Sequence, residues 1–298
     1  MGATLGSVVD RVREIAWLRR RLRISPTEFV LEVGSGGSPN LRSNVLCDAF
    51  LVDATERHGS QIVVDRPFVA GDVHELPFKN NSFDYVIFSH VLEHLPNPGL
   101  VLAELSRVAR RGYIETPSAA FEMVYGFPFH RWLVTADDQG LLLRAKSGVI
   151  QAPEIRTWFE QMHKELGTAT RFWSRRRRLD VYTCFEWEGA IHYRVEDEPA
   201  AANEGRPEFT HASVDTRPAA IRGPSDGGIL WRAERRFSQW QRRPSDRPWS
   251  EIWPLLCCPT CRGELSRIDP AALVCSGCRG KYPVDMNGIP LLLQECRQ

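Results

Sequence analysis

Near the end of the chain, "CPTCRGELSRIDPAALVCSGCRGKYPV" sets Cys258, Cys261, Cys275 and Cys278 in two C-x2-C knuckles separated by thirteen residues. Thiolates are soft ligands, and two tight turns of this kind bring four of them into a tetrahedron around one zinc ion. Four protein ligands leave no open coordination position, so the expected ion is structural and not catalytic. Cys257 and Cys296 do not share the spacing and are expected to be bystanders. The cysteines crowd after residue 256, with Cys47 and Cys184 standing apart. That distribution suits a metal site in a reducing compartment better than a disulfide framework.

A second constellation lies near the start. "FVLEVGSGGSPN" reads as a buried strand from Phe29 to Val33 that runs into a glycine-rich turn, with Glu32 on the strand's last stretch. Glycines let a backbone pass close to a ligand, and free N–H groups there can hold a carboxylate or phosphate. The third glycine of G-x-G-x-x-G is missing around Asn40, which counts against a dinucleotide fold. Downstream, "VAGDVHELPFKNNSFDYVIFSHVLEHLPNP" places Asp72 after a short strand, then a second strand that leads into His90, Glu93 and His94. His90 to His94 also fit H-x-x-E-H, the inverted zinc-protease signature. That reading needs the motif inside a helix, whereas "FDYVIFS" directly before it is a buried strand, and it leaves the glycine turn unexplained.

Taken together, "LEVGSG", Asp72, "LPF" and "FDYVIFSHVLEH" resemble the class I S-adenosylmethionine-dependent methyltransferases, in the group with small-molecule members such as the ubiquinone-pathway enzymes. The resemblance covers roughly residues 28 to 120 and implies a Rossmann-like α/β sheet with helices on both faces. It implies that Glu32, Gly34, Ser35 and Gly36 form the loop around the methionine part of the cofactor. In that family an acid ending the second strand binds the ribose hydroxyls. "NVLCDAFLVD" offers Asp48 and Asp53, and Asp48 is preferred because it closes the apolar run from Val45. By the same resemblance Asp72 and Val73 flank the adenine, and Ser89 and His90 border the sulfonium. Asp84 is expected to serve the strand rather than the ligand.

Methyl transfer is an in-line displacement at a sulfonium carbon, which requires alignment and a dry pocket. A hydroxyl acceptor also needs a general base, for which His90, His94, Glu115 in "YIETP" and His130 in "GFPFHRW" are candidates. The strand ends in Ser-His-Val-Leu and not in Asn-Pro-Pro-Tyr, the pattern that accompanies methylation of amide or exocyclic amino nitrogens in this superfamily. A small-molecule, lipid or glycan acceptor is therefore expected. A translation-apparatus substrate is the alternative, and a non-catalytic binding module is a third reading.

The C-terminal segment resembles the small zinc-ribbon proteins that activate tRNA, rRNA and release-factor methyltransferases, in its cysteines and in "YPVDMNGIPLLL". Those activators work by docking on methyltransferase domains, which implies that this ribbon packs on its own. Arg262, Arg267, Arg279, Lys281 and Arg297 balance Glu251, Glu264, Asp269, Asp285 and Glu295, so the segment lacks the basic face of a nucleic-acid reader.

The elements around these residues follow from pattern. Val8, Val9, Val12, Ile15 and Ala16 recur at helical spacing among arginines, predicting an amphipathic helix over residues 1–25. Its basic face suits solvent, with weak membrane-surface contact as the minor reading. Residues 26–195 form the methyltransferase domain, in which "HRWLVTADDQGLLLRAK" and "VYTCFEWEGAIHYRVE" read as two later strand pairs. The Arg175–Arg178 run is a solvated face or a phosphate contact. Residues 196–228, rich in Pro, Ala and Gly, are expected to be a disordered linker. A short helix over 229–250 then connects to the zinc ribbon at 251–298. A formal charge of +1 argues against a dedicated polyanion binder. Without a signal-peptide core or a run long enough to span a bilayer, a cytoplasmic protein is expected.

Overall fold

The computed structural model describes residues 22–37, 39–51, 61–127, 129–146, 157–158, 161–162, 165, 178–196 and 248–297. The expected N-terminal helix, the linker, most of the connecting helix, Asp53 and Arg175 to Arg177 lie outside the described residues. In chain order the strands are β1 (Val30–Val33), β2 (Val45–Asp48), β3 (Phe68–Gly71), β4 (Phe83–Ser89), β5 (Ala109–Pro117), β6 (Trp132–Asp137), β7 (Gly140–Ala145), β8 (Tyr182–Glu188), β9 (Tyr193–Glu196), β10 (Leu265–Asp269), β11 (Ala272–Cys275), β12 (Lys281–Pro283) and β13 (Leu291–Leu292). The helices are α1 (Pro98–Val108), α2 (Ala119–Tyr125), α3 (Arg178–Val181) and α4 (Trp249–Ile252). Among the described residues, no helix is long and apolar enough to cross a membrane.

Two compact units emerge, one from residues 1–87, 107–111 and 212–298, the other from 88–106 and 112–211. In the first, β1 pairs in parallel with β2, and β2 with β3, in the strand order β13-β3-β2-β1-β4. Every residue of β1, β2 and β3 is buried. That is why "VLEV", "VLCD" and "FVAG" are short unbroken runs and not alternating ones: a parallel sheet is covered on both faces. This α/β architecture is the fold class expected from the sequence. Asp84 accepts the Phe29 N–H at 2.9 Å and so joins β4 to the entry of β1. The Phe29 and Phe83 rings meet there at 4.9 Å.

The C-terminal residues of this unit form an antiparallel sheet, β10-β11-β12, and then β13, which pairs in parallel with β3 through Leu291↔Ala70 and Leu292↔Gly71. An open sheet edge is a row of unsatisfied backbone groups, and β13 satisfies part of the β3 edge. Ile289, Leu291 and Leu293 share one apolar cluster with Leu46, Ile62, Phe68 and Ala70. The loop after β3 is held in the same way: Cys257 N–H donates to the Pro77 carbonyl at 3.0 Å, Lys79 N–H to Leu255 at 2.8 Å, and Arg262 Nη1 to Leu76 at 2.6 Å.

In the second unit β5 has β8 as its neighbour, and a separate sheet runs β6-β7-β9. β6 and β7 form the expected hairpin, from Trp132↔Ala145 to Asp137↔Gly140. The second expected pair does not form: β9 runs parallel to β7, from Leu141↔Tyr193 to Arg144↔Glu196, and β8 belongs to the other sheet. The turn signal at Glu188-Gly189 is real, with Gly189 at φ 75°, but the chain leaving it crosses to a new partner.

Candidate functional site

The glycine turn follows directly from β1. Gly34 at φ 71° and Gly36 at φ 51° both occupy the left-handed region, where a Cβ is strained and glycine is not. Gly34 N–H donates to Cys47 at 2.8 Å, and Gly36 N–H to Asp48 Oδ2 at 3.0 Å. Asp48, at the end of β2, also accepts from Phe50 N–H at 3.0 Å, so one carboxylate fixes the turn and the strand exit. Ser35 Oγ between the two glycines is buried with no hydrogen-bond partner, a polar atom that a ligand would satisfy.

Glu32 is buried on β1 and accepts Asn40 N–H at 2.7 Å and the Ser43 hydroxyl. Burial pushes its carboxyl up to about 7, against the opposing pull of the Ser43 hydrogen bond and of Arg66. A cationic ligand group beside it would favour the charged form. Asp72 follows β3 and accepts from both His74 N–H and His74 Nδ1, each at 2.8 Å, with Val73 buried beside it. These residues of the first unit, Glu32, Gly34, Ser35, Gly36, Asp48, Asp72 and Val73, offer a buried acid, an unpartnered Ser35 hydroxyl and two strand-end carboxylates. That donor set fits a ligand with an ammonium group and a hydroxylated sugar.

In the second unit Ser89 ends β4 and His90 follows with φ 57°. That backbone, and the 3-10 turn over Leu92–His94, keep His90 to His94 out of an α-helix. His90 Nε2 lies 3.3 Å from Glu115 and its Nδ1 3.6 Å from Glu93, both carboxylates buried. Desolvation alone would lower the imidazole, but Glu115 and Glu93 raise it above its ordinary value. The side chain is 44% exposed, so water screens part of that attraction. Glu115 lies within β5 and also accepts from the Tyr113 hydroxyl and, at 3.6 Å, the Cys184 thiol. A carboxylate with those partners is placed to orient His90.

His130 sits on a different network. Its Nδ1 lies 2.6 Å from Glu122 on α2, and Glu122 also receives Lys146. Ser118 caps α2 by accepting Phe121 N–H at 3.1 Å, and Gly126 ends it at φ 59°. Arg131 N–H donates to the Glu93 backbone carbonyl at 2.7 Å and Trp132 Nε1 to the Leu95 carbonyl at 2.7 Å, which fixes the His130 segment against the 3-10 turn. Glu122, Lys146, Tyr113 and Cys184 were not singled out by sequence reasoning. The buried Glu122 in "AAFEMVY" was the only visible signal: an acid on the covered face of a short apolar helix.

The four knuckle cysteines converge. Cys258 and Cys278 sulfurs are 3.6 Å apart, Cys261 and Cys275 sulfurs 3.4 Å, and all four lie within 4.8 Å of one another. A tetrahedron with Zn–S bonds of about 2.3 Å has edges of about 3.8 Å, so the set fits zinc. The two knuckles are near copies: Arg262 N–H donates to Cys258 at 2.9 Å and Arg279 N–H to Cys275 at 3.0 Å, with φ 62° and 59° at the two arginines. A Cβ on Gly263 would meet the Cys275 sulfur at 2.9 Å, so glycine is required for the thiolates to approach. Burial works against a thiolate at Cys258, but the Tyr282 hydroxyl and the N–H groups of Cys261 and Thr260 outweigh it and bring it down to about 6. Cys257 and Cys296 stand outside this cluster.

Comparison with known proteins bears on the first of these clusters. Residues 31–114 match the family model for the methyltransferase domain. The demethylmenaquinone methyltransferase of Beutenbergia cavernae is 34% identical over 156 residues, which cover 46% of this chain and 62% of that protein. The demethylmenaquinone methyltransferase of Renibacterium salmoninarum is 35% identical over 92 residues, covering 29% and 39%. The chain thus spans between about four and six tenths of the length of the curated relatives it matches. A crystal structure of a SAM-dependent methyltransferase from Methanosarcina mazei aligns at 16% identity with a TM-score of 0.28, over 39% of this chain and 69% of that one.

Proposed function

We propose that this protein is a methyltransferase that uses S-adenosylmethionine to methylate a small-molecule, lipid or glycan acceptor, with a structural zinc ribbon docked on the unit that holds the glycine turn. The observation that carries the reading is the turn itself: buried Glu32, left-handed Gly34 and Gly36, and the unpartnered Ser35 hydroxyl, inside the segment that matches a methyltransferase domain. Glu32 would take the methionine ammonium, Gly34, Ser35 and Gly36 would form the loop around the methionine part, and Asp48 would hold the ribose hydroxyls. Asp72 and Val73 would flank the adenine, and Ser89 and His90 border the sulfonium. The cofactor supplies an electrophilic methyl group, so the chain's task is alignment and exclusion of water. Among the candidate bases, His90, flanked by two carboxylates, is better suited to hold a proton on an ionised acceptor than to remove one. His130, with Nδ1 committed to Glu122, keeps Nε2 for an acceptor or a ligand.

The names of both curated relatives contain a small acceptor, demethylmenaquinone, which supports a small-molecule substrate here. Pairing of β13 with β3 and the shared apolar cluster support docking of the ribbon within the chain. In extracts of a deletion strain incubated with the purified protein and tritiated cofactor, label is expected in the small-molecule or lipid fraction. Label at one defined nucleotide of tRNA or rRNA would overturn the small-acceptor reading in favour of the translation apparatus.

Glu32 gives the binding step a pH signature. Its carboxyl is raised from an ordinary 4.5 to about 7 in the folded protein. Between those values the folded chain holds a proton that the unfolded chain has released, so stability without ligand falls as pH rises through this window and levels off above it. Binding of a cation reverses the preference and expels the proton. Affinity for S-adenosylmethionine is therefore expected to be about tenfold weaker at pH 6 than at 7.5, with proton release on binding at pH 6.5. Calorimetry in buffers of different ionisation enthalpy reads both quantities. The dependence is expected to vanish in Glu32→Gln.

A further inference from the structure

We infer that Glu93, His94 and His130 form a second metal site, separate from the four cysteines, for a divalent transition ion of the zinc, cobalt or iron(II) class. One ligand atom from each lies within 4.8 Å of the others. Metal–ligand bonds of about 2.0–2.2 Å place neighbouring ligands of a tetrahedron about 3.3–3.6 Å apart, so modest side-chain rotation closes the set. Two imidazoles and one carboxylate are a nitrogen and oxygen donor set suited to such ions, and three protein ligands leave positions for an exogenous oxygen.

Glu93 is the second, independent observation. The residue is 2% exposed, and neither carboxylate oxygen has a hydrogen-bond partner. Its nearest cationic atoms are His90 Nδ1 at 3.6 Å and His94 Nε2 at 4.0 Å, both too far to hydrogen-bond. A buried carboxylate left in that state is costly, and a dication answers it directly. His130 is arranged as metal-bound histidines are: Nδ1 is tied to Glu122 at 2.6 Å, and Glu122 is in turn held by Lys146. That leaves the Nε2 lone pair for the ion and fixes the ring's direction. His94 stacks on Phe129 at 5.5 Å and meets His130 edge-on at 4.7 Å, so both imidazoles are held by neighbouring rings. The His90-to-His94 pairing of the inverted protease signature is not used here; the third ligand comes from beyond α2.

The test uses the full chain with its cysteines intact. After chelator treatment, cobalt(II) is titrated with stoichiometry read by elemental analysis and by absorption, since thiolate-bound cobalt gives an intense charge-transfer band that a nitrogen and oxygen site lacks. Two equivalents are expected for the natural protein, only the first of which produces the thiolate band. In Glu93→Gln and His130→Gln the second equivalent is expected to bind at least 100-fold more weakly while the thiolate band stays unchanged. Circular dichroism and a melting curve matching those of the natural protein report that the variants are folded. X-ray absorption of the two-equivalent zinc form should add a nitrogen or oxygen shell to the sulfur shell. A single equivalent in the natural protein, or a second one unaffected in both variants, would overturn the site.

Discussion

Cys261→Ser combined with Cys275→Ser is expected to abolish zinc binding at the cysteine cluster and to lower the melting temperature of the whole chain by about 10 °C, on the order set by a loss of a few kcal/mol in a domain of this size. Structural zinc contributes roughly 10–16 kcal/mol to the folding of small modules, comparable to or larger than the stability of an entire domain. In the β10-β11-β12 sheet the edge strand β10 exposes all but one residue, so that strand adds little apolar burial to what the metal contributes. When the sheet unfolds, β13 loses its anchor, and Ile289, Leu291 and Leu293 leave the cluster they share with Leu46, Ile62 and Phe68. Re-exposing three aliphatic side chains costs about 1.5–3 kcal/mol each and uncovers the β3 edge, so aggregation should accompany the lower melting temperature. Scanning calorimetry with zinc analysis reads the effect. If residues 1–250 alone are as soluble and as stable as the full chain, the ribbon serves an outside partner instead.

Gly34→Val is the second large effect. At φ 71° a β-branched residue is strained by one to several kcal/mol, on the order of the left-handed penalty for any L-residue and more for valine. The turn then relaxes away from the geometry in which Gly36 N–H meets Asp48 and Ser35 Oγ sits buried. Affinity for S-adenosylmethionine should fall beyond detection, at least 100-fold, while the melting temperature changes far less, because β1 and β2 remain paired on their own apolar residues. An unchanged affinity would remove the turn from the binding site.

What the sequence displayed was local. The glycine turn, the strand-end acids Asp48 and Asp72 and the two cysteine knuckles each announce themselves within a few residues, because backbone conformation and ligand bite are short-range demands. Partnerships across the chain left no such trace. Glu122 finds Lys146 at a separation of twenty-four residues, and Glu115 finds Cys184 at sixty-nine. Neither pair lies on a periodic pattern, so nothing in the order of residues joins them. The β8–β9 expectation failed for the related reason that a turn signal specifies a bend and not the partner of the strand that follows it. β13, two residues long, is an apolar ending in sequence; its strand character comes from the β3 edge it meets. Glu93 was visible within H-x-x-E-H, but only the fold shows that its neighbour is His130.

The most direct test of methyl transfer as the function of this chain is calorimetric titration of the full-length protein with S-adenosylmethionine at pH 7.5. One site per chain with a micromolar dissociation constant, lost in Gly34→Val, is the expected result. No heat and no binding at millimolar cofactor, from a protein whose melting curve shows it folded and whose zinc is in place, would contradict it.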